Sequence, residues 1–331
     1  MTARDIRLMR IIGAVDIGGT KIAAGAVAED GSILYRLECP TATEMGFEAA
    51  MQRTREMLRE ISVKTGKKYA GIGVACPGPL DPSEGIVGDV GTLPGWQGGN
   101  IFEALGPECG VTVALENDAD AGALAEANWG QAGKCDRFIY VTISTGIGAG
   151  LVFSGELYRG AGGAHPEIGH QLIEGFGPRC YCSARGCWES LASGPAMTIW
   201  MRQNDPAAAE LSAHQICDLA RRGHPTAMRA VERESRYIGL GLANLITIFA
   251  PDTIALAGGV MRSADLLLDG AMNVISDMVT QVSPERTRIT LASLGPDTGL
   301  AGAAMGWLHR YGFRPGHEPA RRYAELFRSG V

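Results

Sequence analysis

A glycine turn that occurs twice, each time between two strand-like runs, restricts this chain more than any other feature. In the first copy Ile11-Ile12-Gly13-Ala14-Val15 runs into Asp16-Ile17-Gly18-Gly19-Thr20-Lys21, then an apolar run over 22–28, the turn Asp30-Gly31, and Ile33-Leu34-Tyr35. In the second, the apolar run 138–143 meets Ser144-Thr145-Gly146-Ile147-Gly148-Ala149-Gly150, then Leu151-Val152-Phe153, the turn Ser154-Gly155, and Glu156-Leu157-Tyr158. Short apolar runs separated by such turns read as a β-meander. A dinucleotide-binding fingerprint carries its glycines from a strand into a helix, whereas both turns here pass from strand to strand, which argues against that fold. Two copies about 125 residues apart predict two similar lobes, each a meander followed by helix-connected strands.

The intervening sequence supplies those connections. Phe47, Met51, Leu58 and Ile61 recur at helical spacing, and residues 71–75 read as a buried strand. From Cys76-Pro77-Gly78-Pro79 to Gly99 the chain is irregular, with Leu93-Pro94-Gly95-Trp96 inside it; loops of that length are usually functional or disordered, and the apolar residues here favour the first. Residues 111–115 form a short strand that delivers Glu116-Asn117-Asp118 to its carboxyl end, ahead of a helix over 119–129. Carboxyl ends of strands are where open α/β folds place ligands. A helix over 237–249 stops before Pro251, and a strand over 253–257 ends in Gly258-Gly259. The last ten or so residues, rich in Arg and Glu, read as a surface helix or tail.

At 331 residues and 46% hydrophobic, the chain has enough apolar surface for one large domain or two sharing a cleft. A net charge of -6 gives no long-range attraction for a polyanion or an acidic membrane, so nucleic acid is not an expected partner. No apolar run approaches the roughly 18–20 residues that cross a bilayer, and the first ten residues show no signal-peptide pattern. The expectation is a cytoplasmic protein without membrane association. Of the eight cysteines, Cys39, Cys76, Cys109, Cys135 and Cys217 are scattered and read as small buried hydrophobes in a reduced protein.

Four segments carry the candidate chemistry. Asp16, Gly18, Gly19 and Thr20 put a carboxylate, two positions without side chains and a hydroxyl in one turn, where backbone N–H groups and Thr20 can meet phosphate while Asp16 faces Mg²⁺. Thr145, Gly146 and Gly148 repeat the arrangement. Lys21 can reach phosphate or remain solvated. Asn117 and Asp118 pair an amide able to hold a sugar hydroxyl with a carboxylate able to take its proton, although spacing alone favours a helix cap for Asp118. His165-Pro166-Glu167-Ile168-Gly169-His170 precedes Cys180-Tyr181-Cys182-Ser183-Ala184-Arg185-Gly186-Cys187-Trp188-Glu189, and three thiolates with one imidazole satisfy a closed structural zinc site, His170 being the better-placed histidine. A metal there would pin Glu167 and Glu189, whose carboxylates suit adjacent sugar hydroxyls. Reduced thiols and solvated glutamates are the plain alternatives.

Together these segments resemble the ROK (repressor, open reading frame, kinase) family of sugar kinases across nearly the whole chain. The resemblance rests on residues 16–20, 76–78, 93–96, 116–118, 145–148, 167–170, 180–189 and 258–259 in order. It implies an α/β, actin-like (ribonuclease H-like, hexokinase-type) fold with two lobes around a central cleft. The first lobe would cover 1–118, completed by a C-terminal helix near 300–331, and the second 119–300 with the zinc loop. It implies ATP with Mg²⁺, transfer to a hexose hydroxyl, usually at carbon 6, Asp118 as base, and sugar contacts from Asn117, Asp118, Glu167, His170 and Glu189. Zinc would sit on His170, Cys180, Cys182 and Cys187, and Gly258 and Gly259 would join the nucleotide site. A homodimer is a further implication. Family repressors carry a DNA-binding domain before the first turn, and only fifteen residues precede Asp16 here, which favours the kinase branch.

Two departures bear on substrate. Thr92-Leu93 stands where the family usually has Asn-Leu, and Ser183 where it has Gly after the second cysteine. His165-Pro166-Glu167 and Leu191-Ala192-Ser193-Gly194-Pro195 look like fructokinases and mannokinases, whereas the Cys-x-Cys loop looks like glucokinases and N-acetylmannosamine kinases. Glucose is the expected acceptor. Fructose, mannose, an amino sugar or a cyclitol are alternatives, and a sugar-responsive regulator is the non-enzymatic one.

Overall fold

The computed structural model describes residues 9–130, 135–208 and 210–312. The C-terminal stretch read as a helix or tail lies outside them. The chain divides into two compact units, the described residues of Met1–Ala125 with Pro296–Val331, and Glu126–Gly295.

In the first unit, β1 (Ile11–Ile17), β2 (Lys21–Ala28) and β3 (Ile33–Pro40) form the expected meander. Helix α1 (Gly46–Thr65) crosses over to β4 (Gly71–Cys76), which pairs parallel to β1. A two-stranded ribbon, β5 (Leu80–Asp81) with β6 (Ile86–Val87), interrupts the long loop. Helix α2 (Ile101–Cys109), capped by the Asn100 side chain, leads to β7 (Val113–Asn117), parallel to β4. The sheet order is β3-β2-β1-β4-β7. Helix α3 (Asp118–Trp129) follows without a break.

The second unit repeats this topology. Strands β8 (Arg137–Ile143), β9 (Ile147–Phe153) and β10 (Glu156–Leu157) form the meander. After α4 (Trp188–Ala192), α5 (Gly194–Asn204), α6 (Ala213–Arg221) and α7 (Pro225–Phe249), β11 (Thr253–Ala257) pairs parallel to β8. Helix α8 (Ala264–Met278) and β12 (Arg288–Leu291) complete the order β10-β9-β8-β11-β12. The expectation of two like lobes therefore holds at the level of strand order. The expected helix over 237–249 is the second half of α7, which begins twelve residues earlier at Pro225, a residue suited to the first helical turn.

Helix α9 (Thr298–Tyr311) returns to the first unit and explains the composition of β4. In Gly71-Ile72-Gly73-Val74-Ala75-Cys76, the side chains of Ile72, Val74 and Cys76 join Met51, Leu58 and Ile61 of α1 in one core. The glycines face the other way, and a Cβ on Gly73 would lie 1.7 Å from the Ala303 carbonyl oxygen. Period-two alternation thus gives one face to a hydrophobic core and lets a helix backbone rest directly on the other. In the second unit, Ile139, Val141, Ile254 and Leu256 of the sheet pack on Leu242, Ile246, Leu267 and Ile275 of the helices. Among the described residues no helix is long and apolar enough to cross a membrane. All eight cysteines are unpaired thiols; Cys76 and Cys217 are buried, and Cys39, Cys109 and Cys135 are half-buried.

Glu234 on α7 is fully buried, and neither carboxyl oxygen has a hydrogen-bond partner among the described residues. Burial pushes its pKa up to about 8, against a smaller opposing pull from Arg233. Such a carboxyl favours the protonated form in the folded state, while the unfolded chain releases its proton near pH 4.5. Stability contributed by this group is therefore present at acid pH and lost as pH rises through about 8. Glu234→Gln is expected to remove that limb, so that thermal unfolding measured from pH 4 to 9 shows variant and wild type diverging from about pH 5 and levelling off above about pH 8, with the variant the more stable at pH 9.

Candidate active site

The carboxyl ends of β1, β4 and β7 lie side by side, with Asp16 opposite Ala75, Ala75 opposite Glu116 and Cys76 opposite Asn117. Asn117 is buried, and its Oδ1 accepts from the backbone N–H of Ala119 at 2.9 Å and of Asp120 at 3.4 Å. Asn117, rather than Asp118, is thus the residue whose side chain spans the first turn of α3, and its amide nitrogen is the part able to donate to a ligand. Asp118 is exposed, with Oδ1 accepting from Ala119 N–H at 2.8 Å.

Asp16 carries the clearest electrostatic signature. Burial first, and the Asp118 charge second, raise its pKa to about 6 against opposing pulls from Lys21 and Arg36. Helix α9 presses on it: a Cβ on Gly299 would fall 2.1 Å from Asp16 Oδ2. The buried Cys76 thiol is pushed up by burial and by both Asp118 and Asp16, which places the two carboxylates on either side of one strand end. The turn after Asp16 is closed by Gly18 N–H donating to Lys21 O at 2.9 Å, and the Thr41 hydroxyl donates to Gly18 O at 2.6 Å. Gly19 faces Thr92, whose Cβ and carbonyl oxygen would lie 3.0 and 3.1 Å from a Cβ there. The Thr20 side chain is exposed. Lys21 Nζ is paired with Glu38 at 2.9 Å, so of its two readings the solvent-side one describes this structure.

In the second unit the corresponding turn is braced by three other segments. Ser144 N–H donates to Gly146 O at 2.8 Å, closing it. Glu189 Oε2 accepts from Ile147 N–H at 2.8 Å, and a Cβ on Gly146 would stand 2.5 Å from the same oxygen. Gly194 N–H donates to Ser144 O at 2.8 Å at the start of α5. Gly258, with φ of +94°, leaves only 2.2 Å between a hypothetical Cβ and Ile143 O, and Gly259 lies near the Ser144 hydroxyl. The half-turn Ile168–His170 rests on the strand at its beginning, a Cβ on Gly169 meeting Ile147 O at 2.0 Å. The structure thus brings Thr145, Gly146, Gly148, Gly258, Gly259, Glu167, His170 and Glu189 to one end of the second sheet. Thr145, Gly259 and Glu167 are exposed, as a site that admits a ligand requires.

Beside them, the ligand atoms of His170, Cys180, Cys182 and Cys187 lie within 4.8 Å of one another. Cys182 Sγ and Cys187 Sγ are 3.6 Å apart, and His170 Nδ1 and Cys180 Sγ also 3.6 Å. A disulfide needs about 2.05 Å. A tetrahedron with metal–sulfur bonds of about 2.3 Å and metal–nitrogen bonds of about 2.0 Å has sulfur–sulfur edges of about 3.8 Å and sulfur–nitrogen edges of about 3.5 Å. The donor set fits zinc in identity, and these two edges match it in length. His170 Nε2 bonds the Tyr181 hydroxyl at 3.0 Å, the kind of outer contact that fixes a metal-binding imidazole. Tyr181 itself is 80% exposed. Ser183 has φ of +76°, a left-handed backbone that glycine adopts without steric cost, so the serine keeps the turn at some strain.

Tyr181, Thr41 and Gly299 escape sequence reasoning. Tyr181 lies inside the cysteine motif, where an aromatic at a variable position carries no signal. Thr41 and Gly299 lie outside every motif and reach the turn only through tertiary packing.

A model described as the ROK family matches residues 12–310. A glucokinase of Thermotoga maritima is 32% identical over 310 residues, covering 89% of this chain and 96% of that protein. A ROK hexokinase of Thermus thermophilus superposes with a TM-score of 0.77 at 32% identity, over 89% and 97% of the two chains. A ROK family glucokinase of Streptomyces griseus, solved with glucose and AMPPNP, gives 0.75 at 30% identity over 89% and 98%. With nearly its full described length matched by the family model, this chain belongs to the ROK family, and its fold is the actin-like fold of those kinases.

Proposed function

We propose that this protein transfers the γ-phosphoryl group of ATP to the 6-hydroxyl of a hexose, glucose first, with Asp118 as general base. Family membership and the glucokinases among its relatives make it an ATP-dependent sugar kinase. The observation that carries the finer reading is the division of labour at the start of α3. Asn117 takes the helix cap and keeps an amide donor for a sugar hydroxyl, and Asp118 is thereby presented at the surface beside Asp16.

In this reading the sugar's primary hydroxyl gives its proton to Asp118 as its oxygen bonds to the γ-phosphorus, and ADP leaves with the bridging oxygen's electron pair. Phosphoryl transfer asks mainly for positioning and charge stabilisation. Thr20, Thr145 and the glycines of both turns let backbone N–H groups approach the phosphates. Asp16 in its ionised form holds Mg²⁺, which when bound to ATP offsets phosphate charge. Asn117, Glu167, His170 and Glu189 hold the remaining sugar hydroxyls. His170, Cys180, Cys182 and Cys187 hold zinc in a structural role, since a closed four-ligand set has no open position for substrate.

Three outcomes are expected. Asp118→Asn should lower kcat by about 10²–10⁴-fold while the glucose Kd stays close to wild type, and near-normal turnover of glucose, fructose, mannose and N-acetylmannosamine by the variant would remove the assignment. Because Asp16 titrates near 6 and its carboxylate is the form that holds a cation, kcat/KM for ATP should fall as pH drops through about 6. The midpoint should move lower as Mg²⁺ is raised, since the cation favours the ionised form. Protein purified without chelator should contain about one zinc per chain, and a strong chelator should lower Tm. Metal-free protein that unfolds at the same temperature would show the cluster to be four reduced side chains.

A further inference from the structure

We propose that Glu189 is a positioning residue that couples the sugar site to the phosphate turn, one carboxylate oxygen anchoring the turn and the other receiving the sugar. The inference rests on the sugar-kinase reading above, and gives Glu189 a task beyond holding a hydroxyl.

The geometry is specific. Oε2 of Glu189 accepts the Ile147 N–H at 2.8 Å, so that N–H is committed to a side chain instead of a phosphate. Gly146 leaves room for this contact, since a Cβ there would stand 2.5 Å from Oε2 and push the carboxylate aside. The turn's glycine therefore makes room for a carboxylate as well as for a nucleotide. Glu189 in turn cannot drift. It follows Trp188, which is fully buried, donates its indole N–H to Tyr237 O at 2.8 Å, and occupies the space that a side chain on Gly241 would fill. Two residues earlier is Cys187, one of the four clustered metal donors. Four residues further along, Ser193 N–H donates to Glu189 O at 3.3 Å, and the next residue, Gly194, donates its N–H to Ser144 O at 2.8 Å. The phosphate turn is thus tied at both ends to the short segment that carries Glu189.

A carboxylate shared in this way makes the two ligands interdependent. A sugar hydroxyl on Oε1 orients the carboxyl plane and with it the Ile147 N–H, and a displaced turn displaces Oε1. The first turn shows a related arrangement, with Gly19 against Thr92 of the long loop that leads to Leu93-Pro94-Gly95-Trp96. Coupling between two ligands is reciprocal, so glucose and nucleotide should alter each other's affinity by the same factor, and loosening the shared contact from either side should reach the other ligand.

The test uses full-length zinc-loaded protein with glucose and Mg·ATP. Gly146→Ala should weaken glucose binding, measured without nucleotide, by about tenfold, a typical coupling magnitude. Glu189→Ala should raise KM for ATP at saturating glucose by a similar factor, and Glu189→Gln should restore it, because the amide oxygen still accepts from Ile147 N–H. A residue that only holds sugar would change KM for glucose and leave KM for ATP untouched. The proposal is overturned if Gly146→Ala binds glucose like wild type, or if the Ala and Gln variants share one KM for ATP. Zinc content and unfolding temperature identify a variant that has merely misfolded, in which case the other site decides. Wild-type protein that phosphorylates no sugar would instead overturn the functional reading.

Discussion

The site depends on close approach of backbone to backbone around the turn from Ile143 to Ile147. Gly258 and Gly169 each sit where a Cβ would come within about 2 Å of a carbonyl oxygen of that turn, and Gly194 bonds a third carbonyl directly. Close packing of this kind tolerates no added methyl without backbone movement. It follows that the glycine segments 146–150, 168–170 and 258–259, far apart in sequence, form one construction. Their shared role is to bring a strand end, a half-turn and a helix start to the same place, so that Glu167, Glu189 and Thr145 project from a rigid base.

The first unit solves the same problem with a helix. Strand β4 offers α9 its glycine face, and α9 then reaches Asp16 through Gly299. Desolvation of Asp16 is a consequence of that packing, and its raised pKa is the electrostatic record of it. Glu234 records burial too, with neither carboxyl oxygen hydrogen-bonded among the described residues. The two acids share one physical cause and differ in neighbours: Asp16 stands at a strand end with Asp118 in range, whereas Glu234 is enclosed by helix packing with Arg233 opposing its shift.

Much of this was legible in the sequence because the informative signals are local. A strand-to-strand glycine turn is read from periodicity over a dozen residues, and its repetition predicts the two-fold strand order that the sheets display. The His-Cys cluster was legible because three thiols so close together in a polar stretch match no apolar period, and the structure gathers them with His170 within 4.8 Å. What remained hidden was non-local. Spacing offered Asp118 as the helix cap, and only the geometry at the end of β7 shows Asn117 spanning the first turn. Equally, nothing in the sequence connects Gly146 with Glu189, forty-three positions apart, or Gly299 with Asp16.

The two departures from the family pattern carry different weight for the same physical reason. Ser183 replaces a glycine at a left-handed position, and the backbone holds φ of +76° regardless, with Cys182 and Cys187 still 3.6 Å apart. The cost is local conformational energy, of order 1 kcal/mol or more, and the donor set is preserved. Thr92 is different, because its backbone carbonyl and Cβ both abut Gly19. Its contact with the turn is made by atoms that every residue except glycine has, so the substitution leaves that support intact while changing the polar group offered by the side chain. The packing of the long loop on the turn at Gly19 is therefore indifferent to which side chain stands at position 92.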